Sequence, residues 1–238
     1  MNPISTDPPQ PDKIERAIGL LRAAVTAVPF VGGSITELFS AFFSTPLTRR
    51  REAWFHLLAL AIVELQERLP NLTPETLQTD ERFTSTVLNA TTSALRTHRQ
   101  EKLIALRNAV TNSVLMLDVD EDLMAMFLNY VDVLTPRHLR VLFAFHDPNA
   151  HFERIASTTR WLVRSGNSET WWSTSTSTLD FMRAAFPELK DHQFTAQLIT
   201  DLATRTLIGL GAIHHRLPEI GPYTTFTGAK FMKFIGSA

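Results

Sequence analysis

Histidine is the side chain most suited to move protons or hold a metal near neutral pH, and this chain has eight histidines and no cysteine. Their spacing does not build a site. His138 and His146 are two helical turns apart, beyond the i, i+4 step that sets two imidazoles on one ion. His214 and His215 are neighbours on an expected strand and so face opposite ways. His146 and His151 flank a turn at Asp147-Pro148 and come nearest to an acid–base or metal cluster. Asp118, Asp120 and Asp122 imitate the first ligands of a calcium loop, but Leu123 stands where the sharp turn needs glycine. Asn129 stands where a bidentate glutamate belongs. The acidic run instead suits the start of a helix, where negative charge meets the positive end of the dipole.

Lack of cysteine excludes disulfides, thiolate zinc sites, iron–sulfur clusters and cysteine nucleophiles. There is no G-x-S-x-G, phosphate loop or H-E-x-x-H. No catalytic residue, metal or cofactor is therefore assigned, and a non-enzyme is expected. Of 238 residues, 44% are hydrophobic and 20% charged, which is globular composition. A formal net charge of −1 gives no global attraction to nucleic acid or anionic membrane, so either partner needs a local patch. The opening MNPISTDPPQPDK is polar and proline-rich, without the pattern of a secretory signal. It reads as a disordered lead-in over 1–10 of a cytoplasmic protein.

Positioning falls to helices. IERAIGLLRAAVTAV repeats apolar residues at helical spacing up to Pro29, and Ser34 caps a short apolar helix reaching Phe42 and Phe43. Thr45-Pro46, Thr73-Pro74 and Thr135-Pro136 each read as a helix start, threonine at the cap and proline in the first turn. The first should run to Leu69, roughly 36 Å at 1.5 Å per residue, burying Trp54, Leu58, Ile62 and Leu65. Further helices are expected over Asp80–Thr97, Gln100–Leu117, the acidic run to Val133, Thr135–His146 and Ala150–Val163. Phe143 joins Leu139 and Leu142 on the inward face. Ser165–Ser177 reads as a Ser/Thr-rich loop holding Trp171 and Trp172, either as a recognition loop or as an anchor to the core.

The last sixty residues change character. A short helix over Thr178–Ala185 precedes one over Asp191–Thr206 with Phe194, Leu198, Ile199 and Leu202 inward. LIGLGAIHHRL, PEIGP and YTTFT then read as a β-hairpin, and GAKFMKFI as a closing helix. That is the layout of a winged helix. In a DNA reader the second helix enters the major groove, which makes His192, Gln193, Gln197, Arg205 and Arg216 the candidate contacts. Yet Thr178–Ala238 carries six basic residues against five acidic ones, little cation for a phosphate backbone. Two other places stand out. Ala23–Thr36 is an uncharged stretch containing Pro29, Phe30, Gly32 and Gly33, too short and interrupted for a spanning helix. With Leu38–Leu47, which holds Phe42 and Phe43, it could form a re-entrant membrane or partner-binding hairpin. Arg49, Arg50 and Arg51 crowd an expected helix N-terminus, where cations are mildly unfavourable, so nearby acids, a phosphate or a lipid headgroup would offset them.

PFVGGSITELFS leading to TRRREAWFHLLALAIVELQERL, then VDVLTPRHLRVLFAFHDP, then LITDLATRTLIGLGAI with YTTFTGAKFMKFI, resemble the bacterial Abi-alpha-type proteins associated with abortive infection. The resemblance implies a bacterial or phage-related setting and a defence role, and carries over no functional residue. The expectation is a mainly α protein: a helical bundle over 11–164, the loop 165–177, and a winged-helix-like unit with a small β-hairpin over 178–238. Its expected work is non-enzymatic contact with a protein partner. The alternatives are a DNA-binding transcriptional regulator, using the C-terminal unit, and a membrane-acting toxin or effector, using residues 23–47. Oligomeric state is left open.

Overall fold

Two of the three threonine–proline pairs start helices as their chemistry requires. The computed structural model describes residues 13–19, 36–69, 71–116, 119–148, 162–164, 171–173, 181–182, 185–189, 191–209 and 223–236. Thr73 caps α2 (Pro74–Thr79) and Thr135 caps α6 (Pro136–His146), each closing a capping box with the side chain three residues on. Thr45-Pro46 does not start a helix. α1 runs from Thr36 to Arg68, 33 residues, with Pro46 inside it, so it is roughly 50 Å long rather than 36 Å. Proline's fixed φ is itself helical, and its cost is one missing ladder bond and a clash one turn back. Where the residues before it already form helix, as here, it sits within the helix instead of opening it.

The remaining described helices are α3 (Glu81–Arg96), α4 (Gln100–Leu115), α5 (Glu121–Val133), α7 (His192–Thr204) and α8 (Phe226–Ile235). Residues 13–19 are also helical. The chain is thus mainly helical. Asp80 caps α3, its carboxylate accepting the Phe83 amide at 3.0 Å. Asp120 accepts the Asp122 amide at 2.9 Å just before α5, so the acidic run does open a helix.

Packing separates the chain into two units, Met1–Val133 with Phe234–Ala238, and Leu134–Lys233. The expected boundary lay at residue 164; α6 instead packs on α7, within the second unit. In the first unit α3 and α4 form an antiparallel hairpin across Thr97–Arg99, and α1 and α5 pack on both. Trp54, Leu58, Val87, Ala90, Leu106, Val110, Phe127 and Val131 fill the core. The Trp54 indole also donates to Thr91 Oγ1 at 2.9 Å, which satisfies the one polar atom the ring buries. Two buried asparagines one turn apart on α4 close this unit. Asn108 Nδ2 donates to the Ile235 carbonyl at 2.9 Å. Asn112 Nδ2 donates to those of Phe234 at 2.9 Å and Gly236 at 3.1 Å. These are carbonyls that the end of α8 leaves without helical partners, and Phe234 packs its ring 5.6 Å from that of Phe127.

In the second unit Leu139, Leu142, Phe145, Leu198, Leu202 and Phe231 make the core. Phe145 meets Phe181 and Tyr223 at ring separations of 5.9 Å. Two strands correct the expected reading of this stretch. β1 (Leu162–Arg164) and β2 (Trp171–Ser173) pair antiparallel, with Val163 opposite Trp172 and Arg164 opposite Trp171. Leu162 and Val163, expected at the end of a helix whose other residues lie outside the described ones, are in strand, and the expected loop contains strand. Three paired residues are too few for a period-2 pattern to declare itself. Ile208 and Thr224 form a further antiparallel bridge.

Candidate functional site

The candidate site lies on α6 and α7, both in the second unit, and it begins with two helix caps. Thr135 turns the chain into α6, with Pro136 in the first turn. Asp191 does the same for α7, its carboxylate accepting the Phe194 amide at 3.0 Å. The two helices pack together, and their apolar faces leave an outward stripe on each.

On α6 that stripe is Arg137, Arg140 and Phe143, at i, i+3 and i+6. Phe143 was expected inward and is 44% exposed; Phe145 takes the core place. Phe194 was also expected inward and is 36% exposed, with the Arg137 guanidinium 5.4 Å above its ring. A cation over an aromatic face is attracted by the ring quadrupole, which holds Arg137 across the α6–α7 seam. Arg140 lies 5.4 Å over the Phe186 ring and pairs with Glu188. The Glu188 main-chain amide, and then Arg140, hold its carboxyl below the usual carboxylate range.

On α7 the outward residues are Gln193, Ala196, Gln197, Thr200 and Thr204. Several of their polar groups turn back on the helix. Thr200 Oγ1 donates to the Ala196 carbonyl and Thr204 Oγ1 to that of Thr200, at 2.9 and 2.8 Å. Gln197 Nε2 donates to Asp201 Oδ1 at 2.7 Å, and Arg205 Nη1 to the Asp201 carbonyl at 3.0 Å. Of the expected nucleic-acid contacts, Gln193 is exposed, while Gln197 and Arg205 are engaged as just described. His192 lies in the helix with its side chain outside the description, and Arg216 lies outside the described residues.

Beneath this surface is a polar connection between the helices. His138 is 7% exposed. Its Nδ1 accepts the Thr135 main-chain N–H at 3.1 Å and lies 2.8 Å from Thr135 Oγ1. An acceptor nitrogen carries no proton, so the proton is on Nε2, which donates to Asp201 Oδ2 at 3.3 Å. Burial pushes the imidazole below its ordinary value of 6.5; Asp201 opposes this and Arg205 adds to it. Threonine, histidine and aspartate thus stand in the order of a nucleophile, base and carboxylate. The capping box accounts for the same contacts, and the Nδ1 lone pair a general base would use already receives a main-chain N–H. Sequence spacing could not show this cluster, because His138 and Asp201 are 63 residues apart.

The other candidates fall elsewhere. His146 Nδ1 is 3.0 Å from Thr224 Oγ1, so His138 and His146 have separate partners. His151 lies outside the described residues. Among the described residues no group of three histidines, aspartates or glutamates is placed to hold a metal. Arg49, Arg50 and Arg51 are exposed, and they sit more than three turns inside α1 rather than at a helix start. The expected conflict with a helix dipole is therefore absent, since that effect fades within the first turn. Arg51 lies 4.0 Å from Glu52. Phe42 and Phe43 are within α1, and Trp171 and Trp172 within β2, with side chains outside the description. Phe30 lies outside the described residues. No described helix is long and apolar enough to cross a membrane. Compared with known proteins, the chain matches no family model, no curated protein and no solved structure.

Proposed function

We propose that this chain is a non-enzymatic interaction protein whose α6–α7 face binds another protein. The observation that carries the reading is the pair of exposed aromatics, Phe143 and Phe194, set among Arg137 and Arg140. Aromatic residues and arginine are the types enriched at protein interfaces, and they supply most hot spots. Charge on and around the face is balanced, with Arg137, Arg140 and Arg205 near Glu188, Asp191 and Asp201. Such a surface suits a mixed protein partner better than a phosphate backbone. The bacterial or phage-related defence setting rests on the resemblance alone.

The test is affinity capture and cross-linking with the wild-type chain and an Arg137→Glu/Phe194→Ser variant. Loss of a central hot spot costs about 2 kcal/mol or more, roughly thirtyfold in affinity. A partner cross-linked to α6 or α7 and lost from the variant, with unchanged circular dichroism, is the expected result. A partner held equally by both proteins removes this face from the proposal.

DNA binding is a second reading, favoured by the backbone after α7. Gly209 N donates to Tyr223 O at 3.1 Å and Thr225 N to Leu207 O at 3.1 Å, around the Ile208–Thr224 bridge. Tyr223 N donates in turn to Phe145 O at 2.8 Å, at the end of α6. An antiparallel bridge after the second helix of the expected unit, Asp191–Thr206, is what supports this reading, since a hairpin follows that helix in a winged helix. A gel shift on pooled duplex DNA at low salt, where phosphate contacts are strongest, decides it. Weak or no retardation is the expected outcome. A salt-sensitive shift abolished by Arg137→Glu would make nucleic acid the partner.

A further inference from the structure

We propose that His138 is a pH-sensitive latch on α6: neutral, its ring caps the helix through the Thr135 main chain, and protonated it releases that cap. In the usual capping box the residue three positions into the helix is glutamate or glutamine, which stays an acceptor near neutral pH. Here that position is histidine, whose acceptor becomes a donor on taking a proton from solvent. Nδ1–H would then face the Thr135 N–H, 3.1 Å away, donor to donor. The Thr135 hydroxyl, 2.8 Å from Nδ1, can turn to accept instead. The main-chain amide of Thr135 is left without its acceptor, and the reciprocal box opens.

The ring's attachment to α7 has the opposite response. Nε2–H donates to Asp201 in either state, and a charged ring strengthens that bond. Protonation therefore loosens the first turn of α6 while leaving the ring on Asp201. The charged groups acting on the ring from α7 are Asp201 and Arg205; Arg137 is the cation in its own turn. Burial, the largest influence, favours the neutral ring. The ring thus binds its proton at lower pH in the folded chain than in the unfolded chain. Its contribution to stability is complete above about 6.5 and is lost as pH falls through the folded value. The latch stands independently of the partner reading. Where that reading holds, Arg137 in the same turn ties the contact face to pH.

Nitrogen NMR of the labelled full chain tests it. At neutral pH a scalar coupling through the hydrogen bond is expected between the Thr135 amide nitrogen and His138 Nδ1. On acidification that coupling disappears, and the Thr135 amide shift follows the ring titration, with a midpoint below 6.5. His138→Gln keeps an acceptor in the box and should make the Thr135 amide insensitive to pH in this range. Its Tm should also fall less on acidification than that of the wild type. A Thr135 amide unmoved while the ring titrates, or a ring midpoint at or above the ordinary value, overturns the latch. If His138→Gln fails to fold, the wild-type titration alone decides.

Discussion

Gly228→Ala is expected to cost the unit formed by Leu134–Lys233 about 3 kcal/mol, the upper part of the usual overpacking range. A Cβ built at Gly228 lies 1.9 Å from the Leu207 carbonyl oxygen and 2.8 Å from its carbon. Those are backbone atoms, and they cannot step aside. Leu207 is buried, its amide donates to Leu202 O at 3.0 Å and its carbonyl accepts Thr225 N at 3.1 Å. Relief would have to break this turn or lift α8 away from it. Gly209→Ala is the control. Its nearest neighbour, the Tyr223 carbonyl oxygen, is 4.0 Å from the new Cβ, an ordinary contact. Urea unfolding should show a sharply lowered midpoint for the first variant and little change for the second. Equal midpoints would mean that α8 does not approach Leu207 so closely.

Asn112→Asp is expected to destabilise the other unit by about 3 kcal/mol, more than Asn112→Ala at about 2 kcal/mol. The change conserves shape and inverts function. The amide donates to the Phe234 and Gly236 carbonyls at 2.9 and 3.1 Å, whereas a carboxylate would set oxygen against oxygen in a buried place. Burial and two facing carbonyls raise the pKa of the introduced carboxyl. Its penalty should therefore be smallest in acid, where the protonated group can donate, and should grow as pH rises through the unfolded value of about 3.9. Comparing chemical unfolding of the two variants at acid and neutral pH checks the order and its pH dependence. An aspartate variant as stable as the alanine variant at neutral pH would show that these carbonyls are not held by Asn112.

The sequence marked helices well wherever caps and apolar stripes agreed. α3, α5, α6 and α7 lie within a few residues of their expected spans because Asp80, Asp120, Thr135 and Asp191 each announce a first turn. α4 matches its span without a side-chain cap, on its apolar spacing alone. Pro46 misled because the same residue that opens a helix is also tolerated inside one. Side-chain direction was less legible. Phe143 and Phe194 belong to apolar patterns, and a pattern alone assigns such residues inward. Only the structure shows that Phe145 fills the core, beside the expected Leu198, and that the other two lie outside. Asn108 and Asn112 are polar residues that the sequence reading did not single out and that are buried. Asparagines at i and i+4 among Ala105, Ala109 and Val110 were the available signal. The His138–Asp201 contact left none, because it depends on which helix packs beside α6.

The asparagine bonds at the end of α8 also bear on the timing of chain synthesis. The first unit has its helices in hand once Val133 has been made, but Phe234 and its capped neighbours are still to come. The Asn108–Ile235 bond spans 127 residues. Translation must run through the whole of Leu134–Lys233 before the first unit can finish packing. Until then Phe127 lacks the ring of Phe234, and the two asparagines lack the α8 carbonyls. A nascent chain paused in the middle would expose that unfinished face, where exposed apolar surface invites aggregation or chaperone capture. The unit made first is therefore the unit completed last.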